Sequence, residues 1–204
     1  MSVERRAGRV NASELPLNAN DRRAPLWWGM VGLITVEAVL FASLIVSYFY
    51  LRFYASSWPM GAISKPNLLL PSIGAVILVV SSGSMLWADA SIERGNVRNL
   101  MIGLAISFVL GVGFLTLKVV EYSGYEYDWT TNAYGSITWT IVGFHTIHVI
   151  AVLLKVAVVF AAAARGYFSA QRNLGVRING LYWHFVVAVW IPLFFTLYLS
   201  HYVF

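Results

Sequence analysis

Tyr134–Ala163 reads YGSITWTIVGFHTIHVIAVLLKVAVVFAAA and carries one formal charge, Lys155. A helix needs about 20 apolar residues to cross a bilayer core, so this stretch spans it with length to tilt or to project beyond the hydrocarbon. It is far too long for a barrel strand, and helices and closed barrels are the folds that satisfy a backbone in lipid. Two histidines, His145 and His148, interrupt its apolar character. An imidazole in hydrocarbon needs a partner, which makes each a candidate functional position.

Four further runs of the same kind are present: Leu26–Leu51, Leu70–Ala90, Leu100–Val120 and Ile178–Tyr202, the last containing His184. The expected fold is all-α, a polytopic bundle of five transmembrane helices over residues 26–204. A polar, arginine-rich tail, residues 1–25, precedes it. That tail has no apolar core of the kind a cleavable signal peptide requires. Composition agrees. Hydrophobic residues make up 59% of the 204 and charged residues only 11%, against roughly a quarter charged in soluble domains. Cysteine is absent, which excludes disulfides and thiolate metal sites.

The net charge of +5 is better explained by topology than by nucleic acid, because the basic residues flank the apolar runs. Arg5, Arg6, Arg9, Arg22 and Arg23 lie in the tail, Arg94 and Arg98 in the second loop, and Arg165, Arg172 and Arg177 in the fourth. The opposite side has Arg52, Lys65 and Lys118, and its third loop is acidic, with Glu121, Glu126 and Asp128. Positive charge favours the inside, so the expectation is N-terminus inside, C-terminus outside. Trp27, Trp28 and Trp129 sit where interfacial anchors belong. No internal repeat is visible, which weighs against an inverted-repeat transporter.

The polar residues inside the runs define the chemistry. Glu37 lies about 21 Å along its helix from Arg23, and His148 about 25 Å from Arg165 on the same side. The two therefore share a depth near mid-membrane. A carboxyl there must be protonated or paired, and a histidine on a facing helix satisfies both groups. One reading is a proton-relay or lipid-contact carboxyl; the other is a structural interhelical hydrogen bond. His145 and His148, three residues apart, share a helix face. A metal site needs further ligands, and His184 and His201 are about 25 Å apart along one helix, too far to join one centre. Haem ligation by one histidine from each of two helices is the remaining metal reading. Lys155 is expected to snorkel or pair with a carboxyl. Lys118 and Glu121 are spaced to form an i, i+3 pair. Asp89 is expected to face solvent or Arg94. Gly103, Gly111 and Gly113, with Ser81, Ser82, Gly83 and Ser84, are expected to permit close helix approach.

The order of several motifs resembles one family. Gly143-Phe144-His145-Thr146-Ile147-His148-Val149 resembles the G-F-H-x-x-H-V motif of subunit III of haem-copper oxidases. Tyr182-Trp183-His184-Phe185-Val186, followed by Val189-Trp190, resembles that subunit's Y-W-H-F-V-D-V-V-W segment. Tyr134-Gly135-Ser136, Glu121-Tyr122, Gly29-Met30 with Glu37, and Ser81-Ser82 with Trp87-Ala88 resemble further family stretches, in the same order, between about Trp28 and Tyr202.

The resemblance implies the short, five-helix form of the family. It implies a non-catalytic subunit of a proton-pumping terminal oxidase that reduces dioxygen to water, in a bacterial inner membrane. No cofactor is expected in this chain; haem and copper are expected in partner subunits. The implied partners are oxidase subunits I and II, with a small subunit IV as a further candidate, and phospholipids. Glu37, His148 and Arg165 are the implied lipid-binding or proton-related residues, Arg165 through a lipid phosphate. His145 and His184 are implied to orient neighbouring helices. Val187 and Arg177 stand where the family has aspartate and, in many members, glutamate, so those carboxylates do not carry over. The alternatives are an accessory protein of nitric oxide reductase, an independent proton-coupled transporter, and a di-haem cytochrome b-type anchor.

Overall fold

The computed structural model describes residues 24–61 and 63–203; the five tail arginines lie outside the described residues. Five helices long and apolar enough to cross a membrane are found among the described residues. They are α1 (Pro25–Tyr54), α2 (Leu69–Glu93), α3 (Val97–Ser123), α4 (Ala133–Ala164) and α5 (Leu174–Phe194). α5 continues through a π-helical turn, Phe195–Leu199, into a last helical turn, Ser200–Val203. The protein is all-α and crosses the membrane several times, as the apolar runs predict.

α3 and α4 begin ahead of their apolar runs at polar caps. Asn96 accepts a hydrogen bond from the Asn99 amide at the start of α3, and Asn132 does the same for Gly135 at the start of α4. Each satisfies one of the orphan donors of a first helical turn. Gly95 and Gly166, at φ of 77° and 76°, supply the left-handed residues that let α2 turn into α3 and release the chain from α4.

Contacts between helix ends fix the antiparallel arrangement. Glu93 and Arg177 approach to 3.9 Å at the end where α1 begins, here the amino end. At the opposite, carboxy end, Arg52 donates to the Ser200 hydroxyl at 2.7 Å. Tyr202 donates to the Pro66 carbonyl, and the Asn132 amide to the Met60 carbonyl.

The core lies among α2, α3, α4 and α5. Lipid tails are as apolar as leucine, so these helices hold together by close packing and interhelical hydrogen bonds rather than by removal from water. Gly103 packs against Ala88 and the Ser84 carbonyl, and Gly111 against Leu153 and Trp183. The Ser84 and Ser107 hydroxyls meet at 2.7 Å, and the Trp183 indole donates to the Ser81 hydroxyl. Two of the expected small residues do otherwise. Nothing lies within 4 Å of where a side chain on Gly83 or Gly113 would begin, so both face outward. Gly113 is two residues from Gly111, some 200° around the helix, and cannot share its contact.

α1 stands apart. Its substantial contacts are with α4 and α5, and Phe41 and Tyr48 are its two buried residues. The π-turn follows Pro192, whose missing N–H removes one rung of the helical ladder. The Ser200 amide then bonds five residues back to Phe195, and the wider turn carries Thr196, Tyr198 and Ser200 inward.

Candidate functional site

Glu37, at the middle of α1, sits where that helix crosses α4 and α5. Its Oε1 accepts a hydrogen bond from the Tyr182 hydroxyl of α5 at 3.1 Å. The same oxygen stands 3.6 Å from His148 Nε2 of α4, an ion-pair rather than a hydrogen-bond distance. Both side chains are largely shielded. The histidine tautomer follows from its other contact. His148 Nδ1 lies 2.6 Å from the Phe144 carbonyl, which can only accept, so Nδ1 carries a hydrogen. Nε2 and a glutamate oxygen then attract each other only if one more proton sits on Nε2 or on Glu37. The site joins α1, α4 and α5 through one carboxyl in a setting where an isolated carboxylate is costly.

Lys155 completes the arrangement. Its ammonium lies 4.0 Å from the centre of the Tyr182 ring, within electrostatic range of Glu37. The expected carboxylate contact is replaced by a cation–π contact, because Tyr182 stands between the two charges. Phe41 closes the site from α1, with its ring 5.0 Å from that of His148.

The other two mid-helix histidines go elsewhere. His145 shares the Phe41 contact, at 6.4 Å, but turns toward α5. Its Nε2 donates to the Val186 carbonyl at 3.2 Å, and its ring lies 4.8 Å from Trp190. One face of α4 thus sends one imidazole to α1 and the other to α5. His184 meets the Ser82 hydroxyl at 2.5 Å and joins α5 to α2. His201, at the carboxy end, faces Tyr48, whose hydroxyl also accepts from the Trp58 indole. The four histidines serve four different contacts, and no group of three His, Asp or Glu side chains converges among the described residues. Arg165, the C-cap of α4, is exposed at the amino end and lies about 25 Å from His148 along the helix. It is not part of the Glu37 site.

A second polar cluster lies toward the carboxy end. Lys118 and Glu121 pair at 2.6 Å, as their spacing predicts. Both are buried, Lys118 at 1% exposure. The Glu121 Oε1 accepts hydrogen bonds from the Tyr198 and Tyr125 hydroxyls. The Lys118 ammonium also meets the Tyr198 hydroxyl at 3.1 Å and sits 4.2 Å over the Trp190 ring. Outside the helix, burial pushes the Tyr127 hydroxyl up to about 12. Three hydrogen bonds from Thr130 and Thr131 to the exposed Asp128 carboxylate hold it below the usual aspartate range.

Asp89 departs from expectation. It packs on Gly180 of α5, where any Cβ would collide with its carboxylate, and Arg177 rather than Arg94 is the cation facing it. Arg94 lies five residues on, about 140° around the helix, and cannot return to this face. Tyr182 is the site residue that residue-by-residue reading overlooked. Its position in the Tyr182-Trp183-His184 motif was the available signal.

Comparisons with known proteins bear on the family of the whole chain. The family model described as "Cytochrome c oxidase subunit III" matches residues 18–202. The chain is similar to "Cytochrome c oxidase subunit 3" of Thermostichus vulcanus, 32% identical over 172 residues that cover 84% of this chain and 85% of that one. The protein of the same description from Synechocystis is 33% identical over 173 residues, covering 84% and 74%. That of Drosophila melanogaster is 32% identical over 183 residues, covering 85% and 68%.

Proposed function

Because the chain belongs to the cytochrome c oxidase subunit III family, we propose that it is the metal-free subunit of a proton-pumping haem-copper oxidase that reduces dioxygen to water. In this reading the haems and copper lie in partner chains, subunits I and II, with a small subunit IV as a further neighbour. The chain binds phospholipid and stabilises the catalytic subunit. The excess of arginine at the amino end supports N-terminus inside, C-terminus outside. The bacterial relatives support a bacterial inner membrane as its location.

The observation that carries the lipid role is the Glu37 site itself. A carboxyl midway along α1 is held by Tyr182 and His148, on a helix whose outward face is largely uncovered. Such a group orders the wall of a lipid-filled cleft between α1 and α4. His145 and His184 hold the neighbouring helices in register, and Arg165 offers its guanidinium to a lipid phosphate at the inner surface.

Two measurements test the reading. A mild pull-down of the tagged chain should bring a haem-containing subunit I with it; an isolated, colourless protein that transports a solute would overturn the assignment. Glu37→Gln keeps an acceptor for Tyr182 but removes the proton shared with His148. The complex should assemble, then lose lipid or inactivate sooner during turnover. Unchanged lipid content together with an unchanged turnover lifetime would refute the lipid role.

A further inference from the structure

Trp190 packs deep in the bundle, with its ring 4.8 Å from that of His145 and 5.3 Å from that of Phe114. His145 lies twelve residues into α4, so this point is about 18 Å from the carboxy-end start of that helix. The Trp190 ring is 6.2 Å from that of Tyr198. Tyr198 and Tyr125 both donate a hydroxyl hydrogen to one oxygen, Glu121 Oε1. Tyr125 in turn stacks on Tyr127, with ring centres 5.0 Å apart and 13° between planes. Tyr198, Tyr125 and Tyr127 all border a cavity of about 290 Å³ at the carboxy end, whose rim includes the exposed Ser64 and Lys65. Indole and phenol are the aromatic side chains that give up an electron most readily. A line of them runs from the core of the bundle to the wall of this cavity.

The proton contacts give that line a direction. Trp190 Nε1 is buried without a hydrogen-bond partner among the described residues, so an oxidised indole has no base to take its proton and stays a cation. The Lys118 ammonium stands 4.2 Å over the same ring and repels such a cation. Tyr198 differs, because its proton can pass to Glu121 as its electron leaves, and it ends as a neutral phenoxyl radical. The positive charge left behind rests on Lys118. That ammonium lies 4.2–5.9 Å from the centres of four aromatic rings, those of Phe114, Tyr122, Trp190 and Tyr198.

We propose that Trp190, Tyr198 and Tyr125 form a one-electron relay, with Glu121 as proton acceptor for both tyrosines, that carries an oxidising equivalent from the core to the cavity, where a small water-soluble reductant quenches it. An oxygen-centred radical takes one electron from Trp190 and is itself reduced. Trp190 recovers that electron from Tyr198, whose proton passes to Glu121. Tyr125 next gives its electron to Tyr198 and its proton to Glu121, as Glu121 returns the first proton to Tyr198. A donor of the ascorbate class supplies the last electron from the cavity, and the proton on Glu121 goes back to Tyr125. The donor is oxidised by one electron, and every side chain ends as it began. The source of the oxidant, incomplete reduction of dioxygen in a neighbouring subunit, rests on the oxidase reading; the relay itself does not.

Ultraviolet photo-oxidation of tryptophan in the full chain, purified in detergent, starts the relay without a partner. Transient absorption and electron paramagnetic resonance then follow the tryptophanyl signal into a tyrosyl one. Trp190→Phe and Tyr198→Phe should each lose the same component of the tyrosyl signal, and the double variant should lose no more, because the two act in series. Heavy water should slow the appearance of that component in wild type, since a proton moves with the electron. Ser64→Trp, at the cavity rim, should leave the tyrosyl yield unchanged and slow its decay on addition of ascorbate. A wild-type yield in either phenylalanine variant would overturn the proposal, as would losses that add in the double variant. A rate of appearance unchanged in heavy water, or an ascorbate decay in Ser64→Trp as fast as wild type, would also overturn it. The shared component in a chain that pulls down no haem-containing subunit would support the relay and sink the oxidase reading alone. Its absence in a chain that does pull one down would sink the relay alone.

Discussion

Removing one member of the Lys118–Glu121 pair should cost far more than removing both. The two charges are 2.6 Å apart with Lys118 at 1% and Glu121 at 9% exposure, so neither has water to fall back on. Breaking a buried pair from one side typically costs about 3–5 kcal/mol, because the remaining charge is left uncompensated. In Glu121→Gln the new amide opposes the lysine donor, and Lys118 keeps the Tyr198 hydroxyl and the surrounding aromatic rings, Trp190 the nearest, but no counter-charge. In Lys118→Met the carboxylate keeps its two tyrosine donors but loses its cation. In the double variant the amide that replaces the Glu121 carboxylate accepts from the same tyrosines beside an apolar thioether. Its defect is one unsatisfied amide group, worth about 1–3 kcal/mol. The double-mutant cycle should therefore fall short of additivity by at least ~3 kcal/mol. For a chain of this size each single variant should lower the melting midpoint by roughly 6–20 °C. Thermal unfolding in detergent, followed by tryptophan fluorescence, reads all four proteins. Additive single effects, or a Glu121→Gln midpoint equal to wild type, would refute the argument.

Two further outcomes follow from local geometry. Gly103→Ala places a methyl 2.7 Å from the Ala88 Cβ and 3.0 Å from the Ser84 carbonyl oxygen, so α2 and α3 must separate, at about 1–3 kcal/mol. Gly29→Ala, with nothing within 4 Å, is the control, and equal melting midpoints for the two variants would refute the packing argument. The Asp128 carboxyl should titrate below ordinary aspartate by NMR. Because its folded value is depressed, its contribution to loop order is present above the unfolded value and lost as pH falls through the folded one. Replacing Thr130 and Thr131 by alanine removes the two hydroxyl donors but keeps the Thr130 backbone N–H, so it should raise the value part of the way back; a wild-type midpoint already at the ordinary value would refute the assignment.

The parts of this fold that were legible in the sequence are those set by periodicity and length. Counting rise from flanking arginines places Glu37 and His148 at one depth, and they lie 3.6 Å apart. The i, i+3 spacing of Lys118 and Glu121 likewise gives a real pair. What spacing along one helix leaves open is the rotation of that helix against its neighbours. That rotation sends His145 and His148 to different partners, puts Asp89 on Gly180, and places Tyr182 between Lys155 and Glu37. The π-turn was hidden for another reason. Pro192 announces a disturbed ladder, but whether the chain kinks or widens depends on what Tyr198 and Ser200 can reach across the bundle.

The isolation of α1 has a consequence for biogenesis. It leaves the ribosome before α2 and α3, yet its main partners, α4 and α5, follow both. Through the synthesis of α2 and α3 it has almost nothing to dock against, and Glu37 waits in the bilayer for a tyrosine 145 residues downstream. Its carboxyl spends that interval protonated or under the care of the insertion machinery, because the charged form is too costly in lipid. Insertion and assembly are thus separated in time for this one helix. A truncated chain ending before α5 should leave α1 membrane-inserted but unattached to the rest of the bundle.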